Sequence, residues 1–418
     1  MRSLIPHRWP TFVALSLIYF VVSAGAFSSL GVVLPAMVSE MHWNWRQAGL
    51  GYTLLGVACG LGSLAPAVLI RRIGVRGTMM VGTLVMVMGF AAMAIAHSLG
   101  MYLAGTTMIG IAFALVTTVP GTHVLTEIFT NRSTMLGAYF AVGGLGGVAG
   151  PLLYVAINEA THGWRPYWWA FVGLSVAAGV FAAITTPPRH DESRHAVEAP
   201  EQVGPAELIE GLRDWTVRRA LATPQFYVIL GGYTTYLLIN TTAHGFAAEH
   251  LIERGVSAKA AAVMLSLEAL IGVAIAVIGG IIGEKLSAKT LMAVCMGAVA
   301  IGMVGLAEAR GWGLMMVYAV GVGVGYGLSF IAPTILLLNY FGKRANLELF
   351  SIMCLLSTTA ALGPAFGGWA RDALGSFEGL FLLCVAITVA MLAATLFLRP
   401  PALNRTTGAA RLAESVTE

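Results

Sequence analysis

Long apolar runs separated by short polar stretches form the dominant pattern of this sequence. An α-helix crosses the hydrocarbon core of a bilayer with about 20 apolar residues, which is close to the length of each run. Membrane β-strands would instead alternate in polarity and would be about half as long. The pattern therefore predicts twelve membrane-spanning helices, at residues 11–37, 47–70, 78–97, 100–124, 133–157, 166–186, 225–248, 258–283, 288–307, 312–338, 347–370 and 377–398.

The composition leads to the same protein class. Hydrophobic residues make up 57% of the 418 residues, and charged residues only 11%. Soluble domains carry about 25% charged residues, so this chain cannot cover a soluble surface. The first apolar run is too long for the core of a cleavable signal peptide and is interpreted as a membrane helix. We expect an all-α integral membrane protein.

The basic residues predict the orientation of the helices. If both termini lie on one side, 18 of the 24 Lys and Arg residues fall on that side. The positive-inside rule assigns that side to the cytoplasm. We therefore expect a multi-pass protein of the cell inner membrane with cytoplasmic N- and C-termini. The net charge of +4 follows from this bias, so no nucleic-acid partner is predicted.

A polar, proline-rich stretch at residues 187–224 interrupts the membrane pattern. Within it, residues 206–221 place Leu208, Leu212 and Trp215 on roughly one side, as in a helix that lies on a membrane surface. This stretch divides the chain into an N-terminal six-helix domain at 1–186, a cytoplasmic linker with an amphipathic helix at 187–224, a C-terminal six-helix domain at 225–400 and a cytoplasmic tail at 401–418.

The two halves resemble each other in sequence. The stretch "EIFTNRSTMLGAYFAVGGLGGVAGP" corresponds to "NYFGKRANLELFSIMCLLSTTAALGP", and Pro120 and Pro333 interrupt the fourth and tenth helices at a similar depth. A duplicated six-helix unit is the parallel repeat of many secondary transporters, which bind substrate at the midplane between the halves. The repeat therefore predicts a substrate site between the two domains.

The chain resembles the major facilitator superfamily over essentially its whole length. The stretches "LAPAVLIRRIGVRGTMM" and "GGIIGEKLSAK" lie where that family has a G-x-x-x-D-R-x-G-R/K-R/K signature. The stretches "IFTNRSTMLGAYFAVGGLGG" and "LGPAFGGWARDALGSF" are most similar to the monocarboxylate and oxalate–formate porter branch. The resemblance implies two pseudo-symmetric six-helix domains, organic-anion substrates and gating roles for Arg71, Arg132, Glu284, Lys285 and Arg344.

The sequence departs from this family pattern at two places. Arg71 stands where the signature has an aspartate, and Ala276 stands where the branch commonly has an intramembrane arginine. Every Lys and Arg is predicted at a membrane edge. A carboxylate substrate would therefore be bound by hydroxyl groups, a histidine, helix ends or a displaced basic residue such as Lys259.

Glu268 is the single ionisable residue of the apolar run from Ala260 to Gly283. An ionised carboxylate in mid-membrane costs about 2.5–3.5 kcal/mol on insertion scales, so such residues are usually functional. Small residues, Gly272 and Gly279 among them, share its helix face and direct the carboxylate into the bundle. Burial disfavours the charged form, which suits a proton-coupling group. The alternative is a structural hydrogen bond to a neighbouring helix.

The seventh predicted helix carries a polar stripe. Tyr233, Tyr236, Asn240 and His244 follow each other at helical spacing and share one face. They are candidates for substrate binding, and His244 could also share a proton with Glu268. The alternative is that they make hydrogen bonds between helices. Further candidates for substrate binding are Thr117, Thr118, Tyr326 and Ser329, although a threonine beside a membrane proline commonly satisfies freed backbone groups.

These observations predict a secondary active transporter that moves small organic acids, monocarboxylates first, with proton coupling by alternating access. The alternative is a proton-exchanging exporter of apolar or cationic compounds. We find no nucleophile or metal-ligand cluster, and the four cysteines form no C-x-x-C pair, so neither an enzyme nor a cofactor is predicted. The expected partners are a small organic anion, a proton and the lipid bilayer, and the expected functional unit is a monomer.

Overall fold

A computed structural model describes residues 8–129, 132–186, 215–282 and 286–401. The regular elements in these ranges are all helical. The α-helices are α1 Arg8–Ser23, α2 Ser29–Met41, α3 Trp45–Gly62, α4 Ala65–Ala94, α5 Leu99–Val116, α6 Thr118–Ile128, α7 Arg132–Thr161, α8 Arg165–Thr185, α9 Val217–Leu221, α10 Pro224–Glu253, α11 Ala258–Ile282, α12 Ala288–Ala307, α13 Trp312–Leu328, α14 Ile331–Ser357, α15 Gly363–Leu374 and α16 Glu378–Phe397.

The predicted all-helical membrane fold is confirmed. Ten stretches of the described helices are long and apolar enough to cross a membrane. The two other predicted spans, 47–70 and 225–248, also lie in helices, and their polar and glycine residues lower their hydropathy. A π-helix at Ala24–Ser28 joins α1 to α2, and a 3₁₀-helix at Thr358–Leu362 joins α14 to α15.

Several predicted spans are interrupted where a proline removes a backbone donor. The predicted helix 47–70 is broken after Gly62, just before Pro66 at the start of α4. Breaks also separate α5 from α6 before Pro120 and α13 from α14 before Pro333. Proline cannot donate to the carbonyl four residues earlier, so the helical ladder opens at these points. The last two breaks are the interruptions that the sequence predicted.

The helices form two groups that meet along one interface. Helices α1–α8 pack among themselves and form what we call the N bundle, and α10–α16 form the C bundle. Across the interface, α2 contacts α10, α3 contacts α15, and α7 contacts α11. Of the predicted linker helix, only α9 and the residues beside it from Trp215 onward are described, and Trp215 packs edge-on against Phe341 at 5.3 Å between ring centroids. The exact domain boundaries therefore stay a prediction.

The two bundles are in close contact near one face of the protein, which the predicted orientation makes the outer face. A Cβ added to Gly368 would lie 2.1 Å from the carbonyl oxygen of Trp45. The backbone N–H of Ala365 donates to the hydroxyl of Thr53 at 2.9 Å, which also joins α15 to α3. We call this contact between α3 and α15 the outer gate. The protein is closed there in this conformation.

Candidate functional site

Glu268 lies in α11 at the interface between the bundles, and only 1% of its surface is exposed. The hydroxyl of Tyr318, in α13, donates a hydrogen bond of 2.7 Å to its Oε2 atom. The two helices pack closely because Gly323 has no side chain, and a Cβ there would lie 2.7 Å from the Glu268 carbonyl oxygen. The buried carboxyl group therefore has one defined donor on a neighbouring helix.

His244, in α10, is the second partner of this carboxyl group. Its Nε2 atom lies 3.9 Å from Oε1 of Glu268, and the side chain is 8% exposed. Its Nδ1 atom lies 3.0 Å from the backbone carbonyl oxygen of Asn240. A carbonyl oxygen only accepts hydrogen bonds, so Nδ1 must carry the hydrogen. In a neutral imidazole, Nε2 is then an acceptor that faces the carboxyl group.

In this geometry the Nε2 atom of His244 faces the Oε1 atom of Glu268. If His244 is neutral and Glu268 is ionised, a lone pair on Nε2 faces a buried carboxylate oxygen. Burial of an ionised carboxylate without a paired charge is strongly unfavourable. One proton, on either Nε2 or Oε1, removes this conflict, and Oε2 still accepts from Tyr318 in both cases.

The N bundle reaches this pair through α2 and α3. Tyr52, in α3, is close enough to Glu268 for an electrostatic interaction, and its hydroxyl donates to the carbonyl oxygen of Phe27 in the π-helix. Such π-helical turns leave carbonyl groups without their usual intrahelical donors. A Cβ on Gly31 would lie 1.6 Å from the carbonyl oxygen of His244, so α2 and α10 touch at this depth. The pair of His244 and Glu268 is therefore in contact with both bundles.

The predicted polar stripe of α10 faces the protein interior. Tyr233 and Tyr236 are buried, with 4% and 1% exposure, and Asn240 is half-buried. The Tyr236 hydroxyl and the Asn240 side-chain nitrogen are buried atoms that have no hydrogen-bond partner of standard geometry among the described residues. Buried polar groups normally have a partner. The Tyr236 hydroxyl does lie close to Ser329, so the Asn240 amide is the clearer case of an unsatisfied donor in this stripe.

The N bundle carries three aromatic side chains that we call the aromatic wall. It consists of Tyr19, Phe27 and Phe113, which are half-buried deep inside the membrane spans. The Phe113 ring contacts Tyr19 at 6.0 Å and Phe27 at 5.4 Å between centroids, both edge-on. Tyr19 is also near Tyr326 of the C bundle. The wall offers an apolar surface to a substrate between the bundles.

The other predicted binding residues differ in their surroundings. The Thr117 hydroxyl donates to the carbonyl oxygen of Phe113 at 2.7 Å, and Ser329 donates to that of Tyr326 at 2.8 Å. Both hydroxyls therefore bond to a carbonyl of the preceding helical turn, close to the proline breaks. Tyr326 packs its ring against Gly272, where a Cβ would lie 2.0 Å away. The side chain of Thr118 lies outside the described part of the structure.

Of the five predicted gating residues, Arg71 is the one whose side chain the structure describes. Arg71 is exposed in α4, three residues before the kink at Gly74. Glu284 and Lys285 lie outside the described residues, as do the side chains of Arg132 and Arg344. The gating roles of all five stay predictions.

Sequence reasoning missed Tyr318 and Tyr52, which are two of the tyrosines near Glu268. Tyr318 lies in a run that contains Gly321, Gly323 and Gly325, and such small residues let a neighbouring helix approach. The spacing of these glycines is the one sequence feature that could have indicated the contact of Tyr318 with a neighbouring helix. Tyr52 has no comparable signal, because its contact to the π-helix depends on the packing of α3 against the preceding span.

The hydrogen bond from Tyr318 leads to a first prediction. In Tyr318→Phe, the buried Glu268 carboxyl group loses this donor. Hydrogen bonds to charged groups contribute about 1.5–3 kcal/mol, so we expect the variant to unfold at a lower temperature than the parent. Thermal unfolding of the purified protein in detergent measures this difference. Tyr227→Phe, at an exposed tyrosine of α10, is the control, and an unchanged unfolding midpoint in Tyr318→Phe contradicts the role of the hydrogen bond.

The fold and sequence were compared with known proteins. The family model described as "Major Facilitator Superfamily" matches residues 15–353 and 238–417. No curated protein matches the sequence. Two crystal structures of the nucleoside transporter NupG, one of them a mutant form, are similar in fold with a TM-score of 0.73 at 12% identity. The comparison with the mutant form covers 93% of this chain and 98% of the other, and the second comparison covers 94% and 98%.

The family match spans nearly all of the predicted helices and both halves of the repeat. It confirms the superfamily to which the sequence motifs pointed, and membrane transport as the general function. At 12% identity the structural likeness shows the fold alone. This chain belongs to the Major Facilitator Superfamily.

Proposed function

We propose that this protein is a proton-linked secondary transporter of small organic acids, monocarboxylates first. The observation that carries the proposal is the pair formed by His244 and Glu268, 3.9 Å apart and buried at the interface of the two bundles. A pair that holds one proton where both bundles meet can load the proton on one side of the membrane and release it on the other. This is the requirement for coupling by alternating access.

The charges around the pair explain how an anion could be accepted. Within the described residues, every Lys and Arg lies near a helix end, beside a helix kink or in a loop. A carboxylate bound between the bundles would therefore meet a positive charge only when His244 is protonated. Tyr236 and Asn240 would donate to the carboxylate oxygens, and the aromatic wall would receive the apolar remainder. Substrate and proton would then bind together, which is symport.

Several further features belong to this proposal. The orientation follows from the positive-inside rule and gives cytoplasmic termini and a location in the cell inner membrane. Import into the cytoplasm is proposed separately, as symport with protons that enter the cell. The resemblance to the monocarboxylate and oxalate–formate porter branch rests on sequence motifs of both halves. The monomer is the proposed functional unit, because each bundle contributes residues to one interface within the chain.

A second candidate is a proton-exchanging exporter of apolar or cationic compounds. It is favoured by the same charge distribution, since a buried acid between aromatic side chains without a neighbouring Lys or Arg also suits a cation. In that case Glu268 would bind substrate and proton alternately. Nucleosides belong among the uncharged test compounds because the structurally similar NupG is a nucleoside transporter.

Uptake into proteoliposomes tests the proposal. Purified protein is reconstituted, a pH gradient is imposed, and labelled monocarboxylates, dicarboxylates, nucleosides and organic cations are compared. We expect monocarboxylate uptake that requires the gradient and is abolished by a protonophore. Empty liposomes account for passive entry of undissociated acid.

Two outcomes would contradict the proposal of a proton-linked organic-acid porter. Exchange of cations or uncharged compounds, with no uptake of any acid, supports the exporter. Acid uptake of equal rate with and without the gradient leaves a carrier without proton coupling. In both cases the reconstituted protein must be monodisperse, which size-exclusion chromatography establishes before reconstitution.

A further inference from the structure

Asp372 forms a contact between the two bundles at the outer gate. It lies in the last turn of α15, in the C bundle. Its Oδ1 atom accepts from the backbone N–H of Trp45 at 3.1 Å, and its Oδ2 atom accepts from that of Arg46 at 2.9 Å. These are the first two residues of α3, in the N bundle. One carboxylate therefore caps a helix that belongs to the other half of the protein.

The start of α3 needs this carboxylate, because its own cap serves a different donor. Asn44 accepts from the N–H of Gln47 at 2.8 Å, and the Gln47 side chain accepts from the Asn44 N–H at 3.2 Å. The donors of Trp45 and Arg46 remain, and the first N–H groups of a helix have no partner within it. The helix dipole adds a partial positive charge at the same place. Asp372 satisfies both requirements.

Other acidic residues on this face make different contacts. Glu253 accepts from Arg371 at 2.5 Å and Glu378 from Arg254 at 2.7 Å, so both pair within the C bundle. Glu40 pairs with Arg165 within the N bundle. The ion pair between Lys259 and Glu159 does cross the interface, but its side chains are 67% and 58% exposed. Solvent screens such a pair, which therefore contributes little.

Close packing beside Asp372 fixes the geometry of this contact. Gly368, one turn earlier in α15, lies against the Trp45 carbonyl. A side chain at this position would push the two helices apart and would move the carboxylate out of hydrogen-bond range. The packing and the cap thus depend on the same approach of α15 to α3.

We infer that Asp372 is the positioning residue that holds the outer gate closed, and that its carboxylate leaves the start of α3 each time the site opens to the outer face. The inference rests on the alternating access of the proposed function, and on no particular substrate. When the gate opens, the N–H groups of Trp45 and Arg46 and the carboxylate are all solvated by water. The hydrogen bonds and the helix dipole therefore stabilise the closed state. The gate must break these hydrogen bonds in order to open.

A thiol-labelling experiment tests the inference. Cys59, in α3, lies deeper than the gate, and it is near Tyr19 of the N bundle and Tyr233 of the C bundle. In the full chain with its other three cysteines replaced by alanine, a membrane-impermeant maleimide is added to intact cells from outside. We expect Asp372→Ala to raise the labelling rate of Cys59 by about 2- to 30-fold, the range for loss of a helix cap. Asp372→Asn, which keeps one acceptor, should lie between this variant and the parent.

Glu253→Gln is the matched control, because it removes a carboxylate of the same face that pairs within its own bundle. Its labelling rate should equal that of the parent. Equal rates in Asp372→Ala and the parent overturn the inference, and so does an equal increase in both variants. Labelling needs no substrate, so a faster rate in Asp372→Ala together with failed acid uptake would retain the gate role and reject the proposed substrate.

Discussion

Replacing Glu268 with glutamine is expected to abolish proton-driven accumulation of substrate while exchange of substrate across the membrane continues. Glutamine has nearly the same shape and still accepts the hydrogen bond from Tyr318, but it cannot bind a proton. A pH gradient of one unit supplies about 1.4 kcal/mol per coupled proton, which supports roughly tenfold accumulation. In the variant, the ratio of internal to external substrate should approach one.

The measurement is the steady-state accumulation ratio in proteoliposomes, with counterflow of labelled substrate measured in parallel. Glu308→Gln is the control, because this acid lies just beyond the outer end of α12 and away from the interface. Full accumulation by Glu268→Gln would reduce Glu268 to a structural role. Loss of both accumulation and counterflow would instead indicate that the carboxyl group also binds substrate.

Gly31→Ala is expected to have the second large effect, on the conformational equilibrium. An added Cβ would lie 1.6 Å from the carbonyl oxygen of His244, which belongs to backbone and cannot rotate away. Overpacking a tight contact costs about 1–3 kcal/mol or more, which is roughly a 5- to 150-fold change in population. The outer-closed state should be depleted by this factor, so transport slows and labelling of Cys59 from outside accelerates.

Gly173→Ala is the matched control, since this glycine also lies inside a helix but has open space around its Cα. It should transport and label like the parent. A Gly31→Ala variant with unchanged labelling would mean that the contact between α2 and α10 is not part of the outer-closed state. Thermal unfolding of the purified variants separates a shifted equilibrium from a misfolded protein.

The sequence was sufficient to predict the spans, the polar stripe of α10 and the proximity of His244 and Glu268. Each of these depends on periodicity along one helix or on the cost of a charge in hydrocarbon, which are local properties. The break after Gly62 was missed because the apolar run continues through it, although Pro66 is the physical cause. Patterns within single segments of the sequence therefore predict most of the fold and part of the candidate site.

Contacts between distant segments could not be predicted. Asp372 and Trp45 are separated by 327 residues, and no periodic pattern relates a carboxylate in one half to a helix start in the other. The small residues on the helix face of Glu268, Gly272 among them, leave space beside the carboxyl group. At Gly272 that space is filled by the ring of Tyr326, which only the packing of α13 against α11 determines.

The tight approach of α2 to α10 at Gly31 also affects energy conservation in the membrane. A proton site that was reached by water from both faces at once would let protons run down their gradient without any substrate. Here Gly31 packs on the backbone of His244 and Gly368 packs on that of Trp45, so both contacts narrow the route from the outer face to the pair. Under the proposed function, the glycines that permit the bundles to close also oppose a proton leak.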